Sequence, residues 1–260
     1  MDTVDIVTLL VPATYFVFLA TERVWPARQF PPRPGWQWIG IGFLVLFTTI
    51  GVVTPLLIPE AWLTRLRIFD GTGLGVAGGT LVGYFVLEGF VYAWHRSVHN
   101  VGFLWRGFHQ IHHSPTRVDI PGSQVFHPTE MVVYTLLPLA VTVILLGLDP
   151  LAAALTGYWF ACSGYFQHWN VRTPQWIGYL IQRPESHCVH HRMGVHYYNY
   201  ADLPVWDMLF GTFRNPREYR GECGFEAGAD RQMGAMFGFA DVNAPQYGPG
   251  SLGAKPKAAG

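Results

Sequence analysis

Five long apolar stretches constrain the fold of this chain more than any other feature. A helix that spans the hydrocarbon of a bilayer needs about 20 consecutive, mostly apolar residues. The second and third stretches reach that length, and the other three lie at its short end. In approximate bounds, the stretches are Ile6–Thr21, Trp36–Pro59, Gly71–Trp94, Met131–Leu148 and Leu151–Gln167. This pattern predicts an all-α integral membrane helical bundle.

Only Asp149 and Pro150 separate the fourth stretch from the fifth. So short a break predicts a tight helical hairpin, and the bundle would then consist of three spanning helices plus this hairpin. The first stretch is expected to be a retained helix and not a signal peptide. Asp2 and Asp5 stand where a signal peptide has basic residues, and no small-residue cleavage site follows.

The composition agrees with a membrane location and excludes other classes of protein. Of the 260 residues, 50% are hydrophobic and only 13% are charged, whereas a soluble domain carries about 25% charged residues. The 17 basic and 17 acidic residues balance, and no basic stripe appears, so no nucleic acid partner is expected. The three cysteines form no CxxC pair, which argues against a disulfide scaffold.

Alternating the spans across the membrane divides the charges unequally. Of the 17 basic residues, only Arg65 and Arg67 fall on one side. Because short cytoplasmic loops carry an excess of Lys and Arg, the other side is predicted to be cytoplasmic. The same assignment places all eleven histidines on that side. It therefore predicts a cytoplasmic, histidine-rich helical cap.

Eight of the histidines fall into three boxes. The first box is His95 and His99, the second is His109, His112 and His113, and the third is His187, His190 and His191. Residues three and four apart share one face of a helix, so each box presents two or three imidazoles in one direction. Imidazole suits Fe, Zn, Cu and Ni, and eight such groups exceed the four ligands of one tetrahedral site. The boxes therefore indicate two metal ions.

A lone histidine is usually an ordinary core or interfacial residue, but three boxes on one side of the membrane are not explained in that way. The remaining histidines, His127, His168 and His196, lie on the same side and are available to complete the coordination shells. The sequence contains no Glu-x-x-His pair of the kind used by soluble di-iron bundles. It also lacks the His-Glu-x-x-His helix of a zinc protease.

In their order and spacing, the three boxes resemble those of the fatty acid hydroxylase/sterol desaturase superfamily. The resemblance covers roughly residues 75–215 and extends to four accessory motifs. These are Trp94-His95-Arg96, His127-Pro128-Thr129-Glu130, the lone His168, and Trp206-Asp207 followed by Phe210-Gly211-Thr212. The resemblance implies a membrane-bound, non-haem di-iron oxygenase.

The resemblance also implies a set of nine metal ligands, because His168 stands where family members have a ligating histidine between the second and third boxes. The nine are His95, His99, His109, His112, His113, His168, His187, His190 and His191. His127 and His196 stay open, either as ligands or as donors to a bound oxygen species. Cys188 lies inside the third box and is expected to be a packing residue.

Glu88 departs from the family pattern, in which many members have an aspartate before the first box. Glu88, Tyr92, His95 and His99 form one helical stripe, and carboxylates inside a membrane are usually functional. We predict that Glu88 accepts the second N–H of a ligand imidazole; snorkelling toward the interface or pairing with an arginine is the alternative. Tyr92 and Asp207 are further candidates for supporting the ligands, and Asp207 is expected to act mainly as a structural clasp.

The resemblance implies two Fe²⁺ ions, with O2 as co-substrate. Zinc stays open as a substitute in purified samples. The expected reaction is hydroxylation of an alkyl C–H bond in a fatty acyl or sterol-like lipid. The two electrons would come from a separate donor (a ferredoxin, cytochrome b5 or a reductase), since the chain shows no segment for haem, flavin or a ferredoxin cluster.

Two kinds of alternative stay open. A desaturase or a carotenoid-type oxygenase would use the same di-iron site with a different outcome. A membrane metal transporter or a non-catalytic metal-binding protein would belong to another class.

The chain is expected to divide into three parts. Residues 1–70 would form the N-terminal transmembrane helices, and residues 71–215 the di-iron catalytic domain. Residues 216–260 would form a polar tail that is partly disordered, above all over Pro245–Gly260, which is rich in Gly, Ala and Pro.

Overall fold

The computed structural model describes residues 2–195, 197–226 and 228–242. Within these ranges every regular element is a helix, apart from an isolated β-bridge between Arg192 and Cys223. Among the described residues, four helices are long and apolar enough to cross a membrane, namely Thr3–Val24, Trp36–Leu56, Thr72–Asn100 and Pro128–Leu145. The prediction of an all-α membrane bundle is confirmed, and the chain is an integral membrane protein.

The α-helices are numbered in chain order. They are α1 (Thr3–Val24), α2 (Trp36–Leu56), α3 (Glu60–Leu66), α4 (Gly75–Asn100), α5 (Gly102–Leu104), α6 (Gln110–His113), α7 (Pro128–Leu139), α8 (Pro150–His168), α9 (Pro184–His190), α10 (Pro204–Leu209) and α11 (Met233–Phe237). The π-helical segment Trp105–His109 joins α5 to α6, and the π-helical segment Ala140–Leu145 extends α7. Short 3-10 turns lie at Thr72–Leu74, Gly122–Gln124, Gln175–Tyr179 and Ala229–Arg231.

Polar residues between the apolar stretches start the helices. The Asp2 side chain accepts the N–H of Asp5, and the Asp5 side chain accepts the N–H of Asp2, which forms a capping box before α1. Asp149 accepts the N–H of Leu151, and Pro150 occupies the first helical position of α8, where no intrahelical donor is needed. The Asp-Pro break thus begins the second helix of the predicted hairpin. The orientation of that hairpin in the membrane stays a prediction.

Small side chains bring α4 close to α8. A Cβ atom on Gly83 would lie 2.7 Å from Oγ1 of Thr156, and a Cβ atom on Gly79 would lie 2.9 Å from Cβ of Ala152. Small residues allow such close packing between helices in membranes. Large apolar side chains cover the outer faces of the same bundle, including Leu81 of α4, which is 74% exposed.

The described part of the C-terminal segment packs onto the cap. Phe225 and Met236 are fully buried in one cluster with Trp36 and Trp105. Residues 243–260, which include the stretch Pro245–Gly260 that we expect to be disordered, lie outside the described residues. The division of the chain after residues 70 and 215 stays a prediction.

Candidate metal centre

Nine histidine side chains converge in two buried groups, and within each group the candidate ligand nitrogens lie within 4.8 Å of one another. The first group is His95, His99, His109, His113 and His190, and the second is His112, His168, His187 and His191. These are the same nine residues that the family resemblance implies as ligands. The structure therefore brings together the whole set.

Adjacent histidines in the second and third boxes belong to different groups. His112 is in the second group and His113 in the first, while His190 is in the first group and His191 in the second. Neighbouring residues of a helix project about 100° apart, so one short helix serves both groups. Residues four apart, such as His109 and His113, stay in one group. The two groups are therefore built on shared helices.

The π-helical segment Trp105–His109 carries His109 into the first group. π-Helical turns often occur at functional sites. In this segment the carbonyl of Gly107 accepts a hydrogen bond from the hydroxyl of Thr129, which belongs to the His127–Glu130 motif. Trp105 is fully buried and packs against His99, with 5.3 Å between the ring centroids. This motif and the second box thus form one packed unit.

In the first group, Nε2 of His95 lies 2.9 Å from Nε2 of His109. Their other ring nitrogens point outward. Nδ1 of His95 donates to the carbonyl of Tyr200 at 2.7 Å, and Nδ1 of His109 donates to the carboxylate of Glu130 at 2.8 Å. A neutral imidazole has a single N–H, so both Nε2 atoms present lone pairs. Two lone pairs at this distance repel each other unless a cation lies between them.

The second group repeats this arrangement. Nε2 of His112 lies 3.2 Å from Nε2 of His168, while their Nδ1 atoms donate to the carbonyls of Val125 at 3.3 Å and Gly164 at 2.8 Å. Two nitrogens that bind one ion at about 2.1 Å lie ~3 Å apart when the angle between their bonds is near 90°. The donor atoms of both groups therefore fit a metal ion.

Burial keeps these imidazoles neutral. Desolvation lowers the pKa of His109 to about 3. It also lowers the pKa of His187 well below its usual value, and the neighbouring His168 and His191 lower it further. Coordination requires an unprotonated nitrogen, so the two groups hold the metal-binding form of imidazole at neutral pH.

Glu130 holds His109 in place, a role that the sequence analysis missed. The side chain is fully buried, and its two oxygens lie 2.8 and 3.0 Å from Nδ1 of His109. Because 21 residues separate the pair, helical spacing gives no hint of it. One signal was present in the sequence: Glu130 directly precedes the apolar stretch that begins at Met131, and carboxylates at membrane depth are usually functional.

Glu88 forms no hydrogen bond with any of the nine histidines of the two groups, so the prediction that it accepts the N–H of a ligand imidazole is wrong. Its Oε2 accepts the backbone N–H of Asp202 at 2.8 Å and the N–H of Leu203 at 3.2 Å. The side chain is fully buried, so it does not snorkel to the interface either. The helical stripe correctly placed Glu88 on the same face of α4 as His95, but the loop that packs on this face comes from more than 100 residues further along the chain.

Tyr92 and Asp207 both contact Thr212. The hydroxyl of Tyr92 lies 3.2 Å from Oγ1 of Thr212, and that Oγ1 donates to Oδ1 of Asp207 at 2.6 Å. Asp207 accepts the backbone N–H of Tyr200 at 2.8 Å and that of the next residue at 2.9 Å. The Tyr200 carbonyl accepts the hydrogen bond of His95. Asp207 therefore stabilises the backbone segment that orients His95, and it acts on the first histidine group through that segment.

His127 lies apart from both groups. Its Nδ1 accepts the N–H of Thr129 at 3.3 Å and so caps α7. Its ring packs against Phe237, with 5.6 Å between the centroids. His196, the other histidine left open, lies outside the described residues.

Cys188 faces away from the imidazoles that flank it in the sequence. It is buried in a cluster with Val118 and Cys223, and Nη2 of Arg28 lies 2.9 Å from its sulfur. This environment agrees with the packing role expected for it.

An apolar cavity of about 330 Å³ lies between α1, α2, α7 and α8 and reaches both histidine groups. Its walls include Val11 of α1, Phe47 of α2, Pro138 of α7 and Phe160 of α8. The histidines that line it are His95, His109, His112, His168 and His187. A cavity of this size and apolar character suits a small, apolar ligand.

The family model for fatty acid hydroxylases matches residues 80–212, just over half of the chain. The chain belongs to the fatty acid hydroxylase family. The matched range contains all nine histidines of the two groups, together with Glu88 and Glu130. The resemblance seen in the sequence is therefore confirmed.

This family member is similar to curated enzymes that include a decarbonylase, a hydroxylase and a monooxygenase. A very-long-chain aldehyde decarbonylase of Oryza sativa subsp. japonica is 28% identical over 159 residues, which are 56% of this chain and 59% of that protein. An ornithine lipid hydroxylase of Rhizobium tropici is 34% identical over 145 residues, 52% of this chain and 42% of that protein. A sphinganine C4-monooxygenase of Arabidopsis thaliana is 25% identical over 150 residues, 55% of this chain and 56% of that protein.

These alignments are partial, since the chain spans less than two thirds of the length of each of these relatives. No solved structure matches the chain.

Proposed function

We propose that this member of the fatty acid hydroxylase family is a membrane-bound, non-haem oxygenase that uses two iron ions, O2 and two electrons to hydroxylate an alkyl C–H bond of a lipid. The first histidine group would hold one ion and the second group the other. The observation that carries the proposal is the apolar cavity, because it leads from the membrane-spanning helices to both histidine groups.

The number of imidazoles in the first group favours iron over zinc. A structural zinc ion takes four ligands in a tetrahedron, whereas the first group offers five imidazoles. Imidazole ligands suit iron as well as zinc, so zinc stays the expected substitute in purified samples.

Bound iron would supply the activation of O2 and the oxidation of the C–H bond. The protein's own residues orient the ligands around it. Glu130 and the Tyr200 carbonyl accept the outward N–H of His109 and His95, which fixes each ring and raises the basicity of its inward nitrogen. Phe126 stacks on His112 at 4.0 Å between centroids and shields one face of that ring.

The cavity would select and hold the substrate. Its apolar walls keep water from the two histidine groups and accept an alkyl chain in place of a charged or sugar-like molecule. The names of the ornithine lipid hydroxylase and the sphinganine C4-monooxygenase support a lipid as the substrate class.

We place the site at the cytoplasmic face, because 15 of the 17 basic residues lie on the histidine side. We also expect a separate protein to donate the electrons.

The test is to load the purified protein with Fe²⁺ in lipid vesicles, add a ferredoxin–reductase pair and O2, and analyse the lipids by mass spectrometry. The expected product has gained one oxygen atom. His191→Ala, which removes a ligand of the second group, is expected to form none. His127→Ala is the matched control, because this histidine lies outside both groups, and it is expected to keep most of the activity.

Other outcomes would contradict the proposal. Loss of two hydrogens without gain of oxygen would make the enzyme a desaturase. Unchanged lipids with a fully iron-loaded protein, against lipid extracts from several sources, would exclude the oxygenase on native lipids.

A further inference from the structure

The helix α10 packs on a part of α4 that lies within a candidate membrane span. The Trp206 ring of α10 lies 5.1 Å from that of Phe85, and its Nε1 donates to the Phe85 carbonyl at 3.3 Å. A Cβ atom on Gly89 would lie 2.8 Å from the same indole, so the absence of a side chain there lets the ring rest on the helix. Both contact residues belong to the candidate span Thr72–Asn100.

The length of α4 sets the depth of this contact. From Gly75 to His95 the helix rises ~30 Å, which is about the thickness of the hydrocarbon core of a bilayer. If the core begins near Gly75, it ends near His95. Phe85 and Gly89 then lie ~15 and ~9 Å below that boundary, which places α10 beside the hydrocarbon and not in water.

The outer surface of α10 is uncharged. Val205, Met208, Leu209 and Phe210 are exposed, with Leu209 at 69%. Asp207, the charged residue of this helix, is buried, and its carboxylate accepts hydrogen bonds from backbone N–H groups. Further along the chain, Arg214, Arg217 and Arg220 are charged and exposed, and we expect this part of the segment to lie in water.

A neighbouring turn extends the apolar surface. The 3-10 turn Gln175–Tyr179 contacts α10 and exposes Trp176 (64%) and Tyr179, followed by the exposed Leu180. Trp and Tyr are the residues that concentrate at membrane interfaces. We call the six side chains Trp176, Tyr179, Leu180, Val205, Leu209 and Phe210 the outer patch.

Glu88 explains how the segment tolerates this depth. Backbone groups at membrane depth must find partners inside the protein, because lipid offers none. The N–H groups of Asp202 and Leu203, just before α10, are accepted by the Glu88 carboxylate, and Pro204 has no N–H to satisfy. A buried carboxylate in the middle of a span thus has a structural reason.

We propose that the outer patch is inserted into the acyl region of the leaflet on the histidine side, so that α10 is a membrane-embedded element of the cap. The occupant is lipid, because the patch adjoins the exposed apolar surface of the membrane-spanning helix α4, at Leu81 and Phe85, through the contact of Phe85 with Trp206. The same segment carries Tyr200 and Asp202, which contact His95 and line the cavity. The bilayer therefore supports one wall of the active site.

The test is the accessibility of a cysteine placed on α10. Leu209→Cys in the full chain, reconstituted in open phosphatidylcholine vesicle fragments, is treated with a charged, membrane-impermeant maleimide, and labelling is followed by mass spectrometry. Leu81→Cys is the lipid-facing control and Arg220→Cys the water-facing control. The unsubstituted chain gives the background of Cys162, Cys188 and Cys223. Val205→Cys is a second probe should Leu209→Cys fail to fold.

The expected rate for Leu209→Cys is at least tenfold below that of Arg220→Cys and close to that of Leu81→Cys, with labelling restored in SDS. A rate less than tenfold below that of Arg220→Cys overturns the proposal, since the patch would then face water or await a protein partner. Protection that disappears when the protein is diluted in lipid also overturns it, because a second copy of the chain would be the occupant. Protection that persists on dilution supports it.

Discussion

His109 donates the hydrogen bond of its Nδ1 to the carboxylate of Glu130 at 2.8 Å, and both side chains are buried. This pair joins the second histidine box to the first turn of α7. It also leaves Nε2 of His109 as a lone-pair donor 2.9 Å from Nε2 of His95 and 3.1 Å from Nε2 of His113. His109 is therefore the central imidazole of the first group, and Glu130 determines its tautomer.

Glu130→Gln is expected to weaken metal binding in the first group. The amide keeps the size of the side chain but not its charge, so the basicity of His109 falls. Loss of such a partner costs about 10–100-fold in metal affinity or activity. Iron titration of the purified protein measures the change. Glu60→Gln, at an exposed position of α3, is the control, and equal iron affinity in both variants would contradict the role of Glu130.

Glu88→Ala is expected to destabilise the protein, because the two buried backbone N–H groups of Asp202 and Leu203 lose their acceptor. Each unsatisfied donor costs about 1–3 kcal/mol. Glu88→Gln keeps one oxygen acceptor and should lose less. Unfolding of the detergent-solubilised protein by heat or denaturant ranks the two variants. Glu88→Gln is expected to keep its iron, and a folded Glu88→Gln without iron would show that Glu88 acts on the ligands after all.

Gly157→Phe is expected to lower activity on long-chain lipids by filling the cavity. Gly157 lines the cavity, and a Cβ atom there meets nothing within 4 Å, so the new ring has room without displacing the helix. Iron content should not change. Gly42→Phe is the matched control, since Gly42 of α2 also has open space around it but lies outside the cavity lining. Equal activity of the two variants across chain lengths would argue against this cavity as the substrate site.

Local spacing in the sequence was enough to find most of the candidate site. Residues three and four apart on a helix must share a face, so eight of the nine histidines were predicted from the boxes alone. His168 stands by itself at the end of α8, and only the family resemblance pointed to it. The assignment of His112 and His113 to different groups follows from the 100° step of a helix once the partners are known.

Contacts between distant segments could not be predicted in this way. The periodicity of α4 placed Glu88 and His95 on one face but could not show that residues 200–203 pack there. Glu130 is part of the His127–Glu130 motif, but the motif predicts no role for its side chain, because its partner His109 lies 21 residues away. The carbonyls of Tyr200 and Tyr198, which accept from His95 and His190, belong to the backbone, so no residue type announces them.

If the two histidine groups hold iron that activates O2, the oxygen atom gained by the lipid comes from O2 and not from water. The iron-loaded protein is supplied with an electron donor and isotopically heavy O2 in ordinary water, and the product lipid is analysed by mass spectrometry. We expect one heavy oxygen atom per hydroxylated lipid in the unsubstituted protein and no product from His113→Ala or His191→Ala, one ligand from each group. Hydroxylation with oxygen from water, or an undiminished yield from either variant, would show that the two histidine groups do not direct O2 to the lipid.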